Sequence, residues 1–259
     1  MGLKSIGSVL GKRYGQLKTE TRHCEMHGSY TAQSIFAGCW TRCPMCAKQE
    51  MAEEMADYAE KLRVEAKQAE AVYRIGRAGI APRYAACSVE NFVVDENIHA
   101  MARAKAVAAD YADNFDSVLQ SGRCLIFSGL RGTGKNHLAC GIANQIISDG
   151  YSAVVIAASD MLQTIKASYS GGSEMEALKA FVLPDLLVLD EFGMGTQSET
   201  EARLLFTVIN RRYELMKPTM VLTNLSPQEF VEKVDARIRD RLRDNGGKLV
   251  PFNWESCRS

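Results

Sequence analysis

The sequence contains no stretch approaching the ~18 consecutive apolar residues that a membrane-spanning helix requires, which excludes an integral membrane protein. Its opening, MGLKSIGSVLGKRYG, has no apolar run long enough for a signal peptide, and Ile6 stands where a myristoylation signal needs Ser or Thr. Net charge is missing as well. Thirty-one basic residues balance 31 acidic ones, so any contact with nucleic acid must come from local patches rather than a long-range field. There are no internal repeats or low-complexity tracts, and collagen-like and rod-like architectures are excluded with them. What remains is an ordinary globular composition, 46% hydrophobic and 24% charged over 259 residues, ample for one core with a small second module beside it. Eight cysteines without an export signal are the pattern of a reducing, cytoplasmic setting, where clustered thiols hold metal more often than they form disulfides.

Three stretches read differently. Residues 1–50 carry half of the cysteines and few apolar runs, and form a candidate zinc-binding docking module. Residues 51–83 are a long helix and linker: the run from 47 to 75 has no Gly or Pro and is dense in strong helix formers, and Gly76, Gly79 and Pro82 then break it. From 84 to 259 helical and strand signals alternate. CLIFSG (124–129), AVVIAA (153–158), LLVLD (186–190), TMVLTN (219–224) and KLVPFNW (248–254) read as strands. Residues 101–119, 135–148, 161–169, 174–182, 198–215 and 235–244 read as helices, with a capping box at Ser198/Glu201 and a cap-and-first-turn pair at Ser226-Pro227. Short strands that are apolar on both faces and separated by helices predict an α/β fold, a doubly wound parallel sheet covered on both sides.

GLRGTGKN (129–136) follows the first of these strands and opens a helix, the setting of a phosphate-binding loop. Glycines let backbone N–H groups turn around phosphates, and the helix N-terminus adds positive potential. The candidate nucleotide-binding residues are Gly129, Arg131, Gly132, Thr133, Gly134, Lys135, Asn136 and His137, with Lys135 reaching the β- and γ-phosphates of ATP. Asn136 stands where Ser or Thr usually offers a hydroxyl to Mg²⁺, and its side-chain oxygen can also ligate a hard cation. Asp190 closes the LLVLD strand and is placed to orient Mg²⁺, with Glu191 beside it as the group that polarises the attacking water. Asn224 ends the TMVLT strand; it either positions that water or caps the helix starting at Pro227.

On the helix DARIRDRLRD (235–244), Arg237 and Arg241 share one face and Arg239 and Arg243 another. Two readings stand: a solvated helix salt-bridged to Asp235, Asp240 and Asp244, or an arginine finger, Arg237 or Arg241, reaching a γ-phosphate held by a neighbouring copy. Arg258, near the end, is either idle or a cis sensor of nucleotide.

Cys24-x2-His27, fifteen residues, then Cys43-x2-Cys46 has the pair-loop-pair spacing of a structural Zn²⁺ site. Four protein ligands leave no open position for catalysis. His23 and Cys39 are alternative members with poorer spacing, and Cys124 and Cys140 fall at core positions.

Together these motifs resemble the AAA+ ATPases, and among them the DnaC-like replicative helicase loaders, over about residues 75–259. The specific elements are GTGKNHLA (132–139), LLVLDEFG (186–193), VLTN (221–224), RIRDRLR (237–243) and FNWESCR (252–258). The resemblance implies Walker A at Lys135 and Asn136, Walker B at Asp190 and Glu191, sensor 1 at Asn224, a finger at Arg241 and sensor 2 at Arg258. It implies an adenine cradle around Ile80–Phe92, and contact with single-stranded DNA near Met161–Phe181. It also implies a hexameric helicase as partner and self-association through the ATP sites. The metal knuckle is more like Bacillus-type and phage-encoded loaders than the enterobacterial one. No helical lid or helix-turn-helix follows the ATPase stretch, so site-specific duplex recognition is not expected. The alternatives are an IstB-like transposition accessory ATPase, or an adaptor that binds ATP and barely hydrolyses it.

Overall fold

The computed structural model describes residues 18–36, 39–170, 173–194 and 198–256. By internal contact the chain forms two units, Met1–Ala66 and Lys67–Ser259, with the division inside a single long helix.

In the first unit, β1 (Thr19–Cys24) and β2 (Gly28–Phe36) make an antiparallel hairpin with Cys24 opposite Gly28, and β3 (Cys39–Trp40) adds to β2. These strands are a feature the sequence patterning did not suggest, because their alternation is almost entirely polar. Helix α1 (Pro44–Arg77) follows, three residues earlier at its start and two later at its end than helix propensity indicates. Among the described residues of this unit only Ala32 and Cys43 are buried. A hairpin with so little apolar interior cannot support itself by the hydrophobic effect alone.

The second unit is built on a five-stranded parallel sheet in the order β5-β6-β7-β4-β8. Its strands are β4 (Leu125–Gly129), β5 (Ala153–Ala157), β6 (Leu186–Asp190), β7 (Thr219–Thr223) and β8 (Lys248–Phe252). Side-chain alternation divides the core between two faces. Leu125, Phe127, Leu186, Val188, Met220 and Leu222 pack with α2 (His99–Asp113), α3 (Phe115–Ser121) and α4 (Lys135–Ser148). Ile126, Leu187, Leu189 and Val221 pack with α5 (Ala158–Ala167), α6 (Glu174–Val182), α7 (Glu199–Glu214), α8 (Pro227–Lys233) and α9 (Ala236–Arg243). The expected doubly wound α/β sheet is present.

One expected helix is two. The run 101–119 breaks at Asn114, whose side-chain amide donates to the Asp110 carbonyl at 3.1 Å and so competes with the helical ladder. The edge strand β5 is covered from upstream, where the Ala78 carbonyl accepts the Val155 N–H at 2.7 Å. At the opposite end of the sheet from the phosphate loop lies Arg212, fully buried on α7. Its guanidinium donates to the carbonyls of Phe181, Val182, Pro184, Asp185 and Pro218 and to the Thr219 hydroxyl. It thereby satisfies the carbonyl end of α6 and ties together the chain entering β6 and β7. Nothing in the pattern of the α7 sequence marked this arginine as interior.

Candidate functional site

The nucleotide-binding motif sits where the sheet topology places it: β4 is an interior strand flanked by β7 and β8, and its carboxyl end leads into the loop beside the ends of β6 and β7. Gly129 must be glycine, since a Cβ there would meet the Phe252 carbonyl oxygen at 2.2 Å. Gly134, the residue before α4, has φ +89° and leaves room for the Phe92 ring, which would stand 2.5 Å from its Cβ. Leu130 N–H donates to the Phe252 carbonyl at 2.9 Å, and the Thr133 hydroxyl to the Leu130 carbonyl at 2.8 Å. The buried Lys135 ammonium donates to the carbonyls of Gly129 and Leu130, at 2.8 and 2.7 Å, which holds it at the mouth of the loop. A further clamp comes from the C-terminal segment: the Trp254 indole N–H donates to the Thr133 carbonyl at 3.1 Å.

Across the crevice, the Asn136 amide donates to Asp190 Oδ2 at 2.6 Å, and the other oxygen of Asp190 accepts the Glu191 N–H at 2.7 Å. The unusual Asn of the loop is thus bonded directly to the acidic end of β6. Glu191 has φ +53°, a left-handed conformation costly for a residue with a side chain. Asn224 also lines the crevice, and the N-cap of α8 is Ser226, whose hydroxyl accepts the Glu229 N–H.

These groups enclose a cavity of about 510 Å³, within the range of small-molecule sites. Arg131, Gly132, Gly134, Lys135, Asn136, His137, Asp190, Glu191 and Asn224 line it; Gly129 and Thr133 shape the loop from behind. Three further lining residues, Arg83, Tyr84 and Cys87, belong to the Ile80–Phe92 stretch for which the resemblance implies an adenine cradle without naming individual members. The strap that carries them is fastened to α4. Asn144 Nδ2 donates to the Tyr84 and Cys87 carbonyls at 3.1 and 2.8 Å. His137 Nε2 lies 3.1 Å from the Ser88 carbonyl and 2.7 Å from Asn91 Oδ1. Both are acceptors, so this nitrogen carries the proton. His137 and Asn144 stand seven residues apart, two helical turns, which puts them on one face.

Arg237 and Arg241 share a face as expected, and neither lines this cavity. They pack on α7: Arg237 stacks over Phe206 at 4.5 Å and pairs with Asp235 at 2.8 Å. Arg241 stacks over Tyr213 at 4.6 Å and donates to Asn210 Oδ1 at 3.1 Å. Arg237 is thus salt-bridged within its own helix turn, and Arg241 is held by a ring and a neutral amide. Arg258 lies outside the described residues.

In the first unit, the donor atoms of Cys24, His27, Cys43 and Cys46 all lie within 4.8 Å of one another. Cys24 Sγ is 3.6 Å from Cys46 Sγ, and His27 Nδ1 is 3.8, 3.8 and 3.3 Å from the sulfurs of Cys24, Cys43 and Cys46. A tetrahedron with zinc–sulfur bonds of about 2.3 Å and zinc–nitrogen bonds of about 2.0 Å has edges of about 3.5–3.8 Å, so the donor set fits Zn²⁺. The alternatives are not in the group: strand alternation sends His23 to the other face of β1 from Cys24, and Cys39 is exposed. Crowding of the donors splits the thiols. The His27 side chain draws Cys24 down to about 6, while the bond to Cys24 pushes Cys46 up to about 11. Cys124 and Cys140 are buried in the second unit and raised by that burial, Cys140 to about 12.

Comparison with known proteins places this geometry. The family model of the IstB-like ATP binding protein matches residues 99–245. The Escherichia coli K12 protein YdaV is 34% identical over 222 residues, 85% of this chain and 84% of its own length. The replicative helicase loader DnaC of the same organism is 37% identical over 185 residues, 71% of this chain and 74% of the loader. Among solved structures, a DnaC helicase loader crystal structure superimposes with a TM-score of 0.60 at 22% identity, over 66% of this chain and 99% of that one, a likeness of fold. The family match over more than half of the sequence, joined to these relatives, establishes that the chain belongs to the IstB-like ATP-binding family of P-loop AAA+ proteins and counts DnaC-type loaders among its relatives.

Proposed function

We propose that this protein is an ATP-dependent helicase loader, which binds a hexameric replicative helicase through its N-terminal unit and delivers it to single-stranded DNA. The reading is supported by the relatives named as replicative helicase loaders, and the observation that carries its chemistry is the meeting of Lys135, Asn136, Asp190, Glu191 and Asn224 around one cavity. Lys135 would exchange the loop carbonyls for the β- and γ-phosphates of ATP, and the N-terminus of α4 would face the same anion. Asn136 and Asp190 are the groups suited to hold Mg²⁺, which supplies charge neutralisation at the phosphates when bound. Glu191, held off the helical and extended regions by its backbone, is the general base for water, and Asn224 orients that water.

Arg241 completes the site of a neighbouring copy. Its absence from its own cavity and its fixed seat on Tyr213 and Asn210 support this role. Hydrolysis by the isolated chain is then weak. Mixing tests the arrangement: Lys135→Ala has a dead site and a sound finger, and Arg241→Ala the reverse. In the presence of helicase and single-stranded DNA the mixture regains part of the ATPase activity each lacks alone. Normal hydrolysis by Arg241→Ala alone in the assembled complex would falsify the trans mechanism.

Cys24, His27, Cys43 and Cys46 would hold one Zn²⁺ with no open position, a structural ion for a docking module. The match to the IstB-like ATP binding protein family is compatible with a second reading, a transposition accessory ATPase acting with a transposase on duplex DNA. Co-purification with a hexameric helicase rather than a transposase separates the two.

A further inference from the structure

Helix α1 runs bare through the first unit: every residue from 47 to 63 is exposed. In proteins most helical stability comes from packing of one face, which this stretch lacks within its own unit. The stretch also carries an unpartnered apolar line, Met51, Met55, Tyr58 and Leu62, exposed by 64, 65, 63 and 47%. Their spacing of four, three and four residues is a heptad seam, the pattern that meets another helix rather than a flat surface.

The same spacing reads identically in both directions. Laid antiparallel on a second copy, Met51 falls opposite Leu62 and Met55 opposite Tyr58, each pairing occurring twice about a two-fold axis. Methionine sulfur against a tyrosine ring is a favourable contact. The flanks agree with that direction. On one side of the seam stand Glu54 and Lys61, which the antiparallel alignment brings together, Glu54 of each copy toward Lys61 of the other. On the other side stand Ala52 and Ala59, small enough to let the two backbones close up. A parallel pair in register would instead set Lys48, one step along the seam, against its own counterpart and leave Glu54 facing Ala59. From this agreement of spacing, side-chain size and charge we infer that residues 48–62 of α1 form an antiparallel, two-fold homodimer contact in solution. This contact is separate from any packing through the ATP sites and does not depend on the helicase reading. Four side chains per copy make a small interface, so the dimer is weak and exchangeable.

The test is sedimentation of the zinc-loaded full chain over a range of concentrations, without nucleotide or helicase and in an Arg241→Ala background, which removes the finger contact. The expected result is a reversible monomer–dimer equilibrium. Each single exchange, Glu54→Lys or Lys61→Glu, turns two attractions into two repulsions and raises the dimer dissociation constant about tenfold at low salt. The double exchange Glu54→Lys/Lys61→Glu restores it, and Met55→Lys abolishes the dimer. Glu54, Met55 and Lys61 are all exposed, so the variants fold. A chain that stays monomeric throughout, or single exchanges without effect, or a double exchange that fails to recover, overturns the inference. If the chain is monomeric and Met55→Lys weakens helicase binding instead, the seam belongs to the helicase and the loader reading survives.

Discussion

Arg212 offers the sharpest test of how the second unit is held together. Its guanidinium is fully buried, and burial lowers it only to about 10, so it is a cation at neutral pH surrounded by carbonyls. Replacing it with Met keeps the length and apolar stem but removes every donor, leaving the Phe181, Val182, Pro184, Asp185 and Pro218 carbonyls without that partner. A single buried acceptor left unsatisfied costs about 1–3 kcal/mol, but acceptors in one network are not additive, and some at the sheet end regain water. Loss of the desolvation penalty of the cation offsets part of the remainder. The net expectation is about 3–5 kcal/mol for Arg212→Met and about half of that for Arg212→Lys, which keeps the charge with fewer donors. For a unit of this size that is a fall in melting temperature of about 10 °C for Met.

Urea unfolding followed by circular dichroism, with the fluorescence of the buried Trp254 as a second probe, measures both. The order must be Arg, then Lys, then Met. Nucleotide affinity of the still-folded variants should be unchanged, because Arg212 serves the amino ends of β6 and β7 and the cavity lies at their carboxyl ends. A Met variant within about 1 kcal/mol of the parent would refute the argument, since it would mean that the carbonyls do as well without the cation as with it.

Other consequences can be checked as directly. Trp254→Phe keeps a ring on Phe252 but frees the Thr133 carbonyl, so ATP affinity by calorimetric titration should fall several-fold with a stability loss of about 1 kcal/mol. A chelator should release one Zn²⁺ per chain and expose the β1–β2 hairpin to proteolysis, with the melting of the second unit unmoved; intact protection would argue against a structural metal. Glu201 is held down to about 2, chiefly by Lys166, and Glu229 to about 2, chiefly by the Ser226 backbone N–H. Depressed acids stabilise the fold fully above the ordinary value of 4.5 and lose that contribution as pH falls toward 2. The melting-temperature gap between the parent and Glu201→Gln or Glu229→Gln should therefore be present at pH 7 and close over that window.

What could be read from residues alone was local chemistry with a fixed spacing. The phosphate loop, the acidic end of β6, the capping box at Ser198 and the four metal donors each depend on neighbours a few positions away, and the parallel sheet follows from strands apolar on both faces. What could not be read depends on partners far along the chain. Arg212 looks like any surface arginine until α6, β6 and β7 converge on it. The β1–β2 hairpin hides because its strands are polar on both sides, its order resting on the turn at Gly28 and the donors at its end rather than on a core. The break at Asn114 hides for the opposite reason, a helical pattern strong enough to mask one competing amide.

The nucleotide cavity itself depends on both kinds of information, and this explains why its walls are divided as they are. The loop sequence supplies the turn and the lysine, but the loop is held from two sides by segments more than forty residues before it and more than a hundred after it. From upstream, the strap of Arg83, Tyr84 and Cys87 is fastened by Asn144 and His137, and Phe92 occupies the space that only Gly134 leaves. From downstream, Phe252 and Trp254 bond the loop backbone directly. A phosphate loop fastened on both sides is preorganised, so binding does not have to order it first. The lysine is the exception: it rests on the Gly129 and Leu130 carbonyls, and in the proposed role it would give up those bonds for phosphate oxygens.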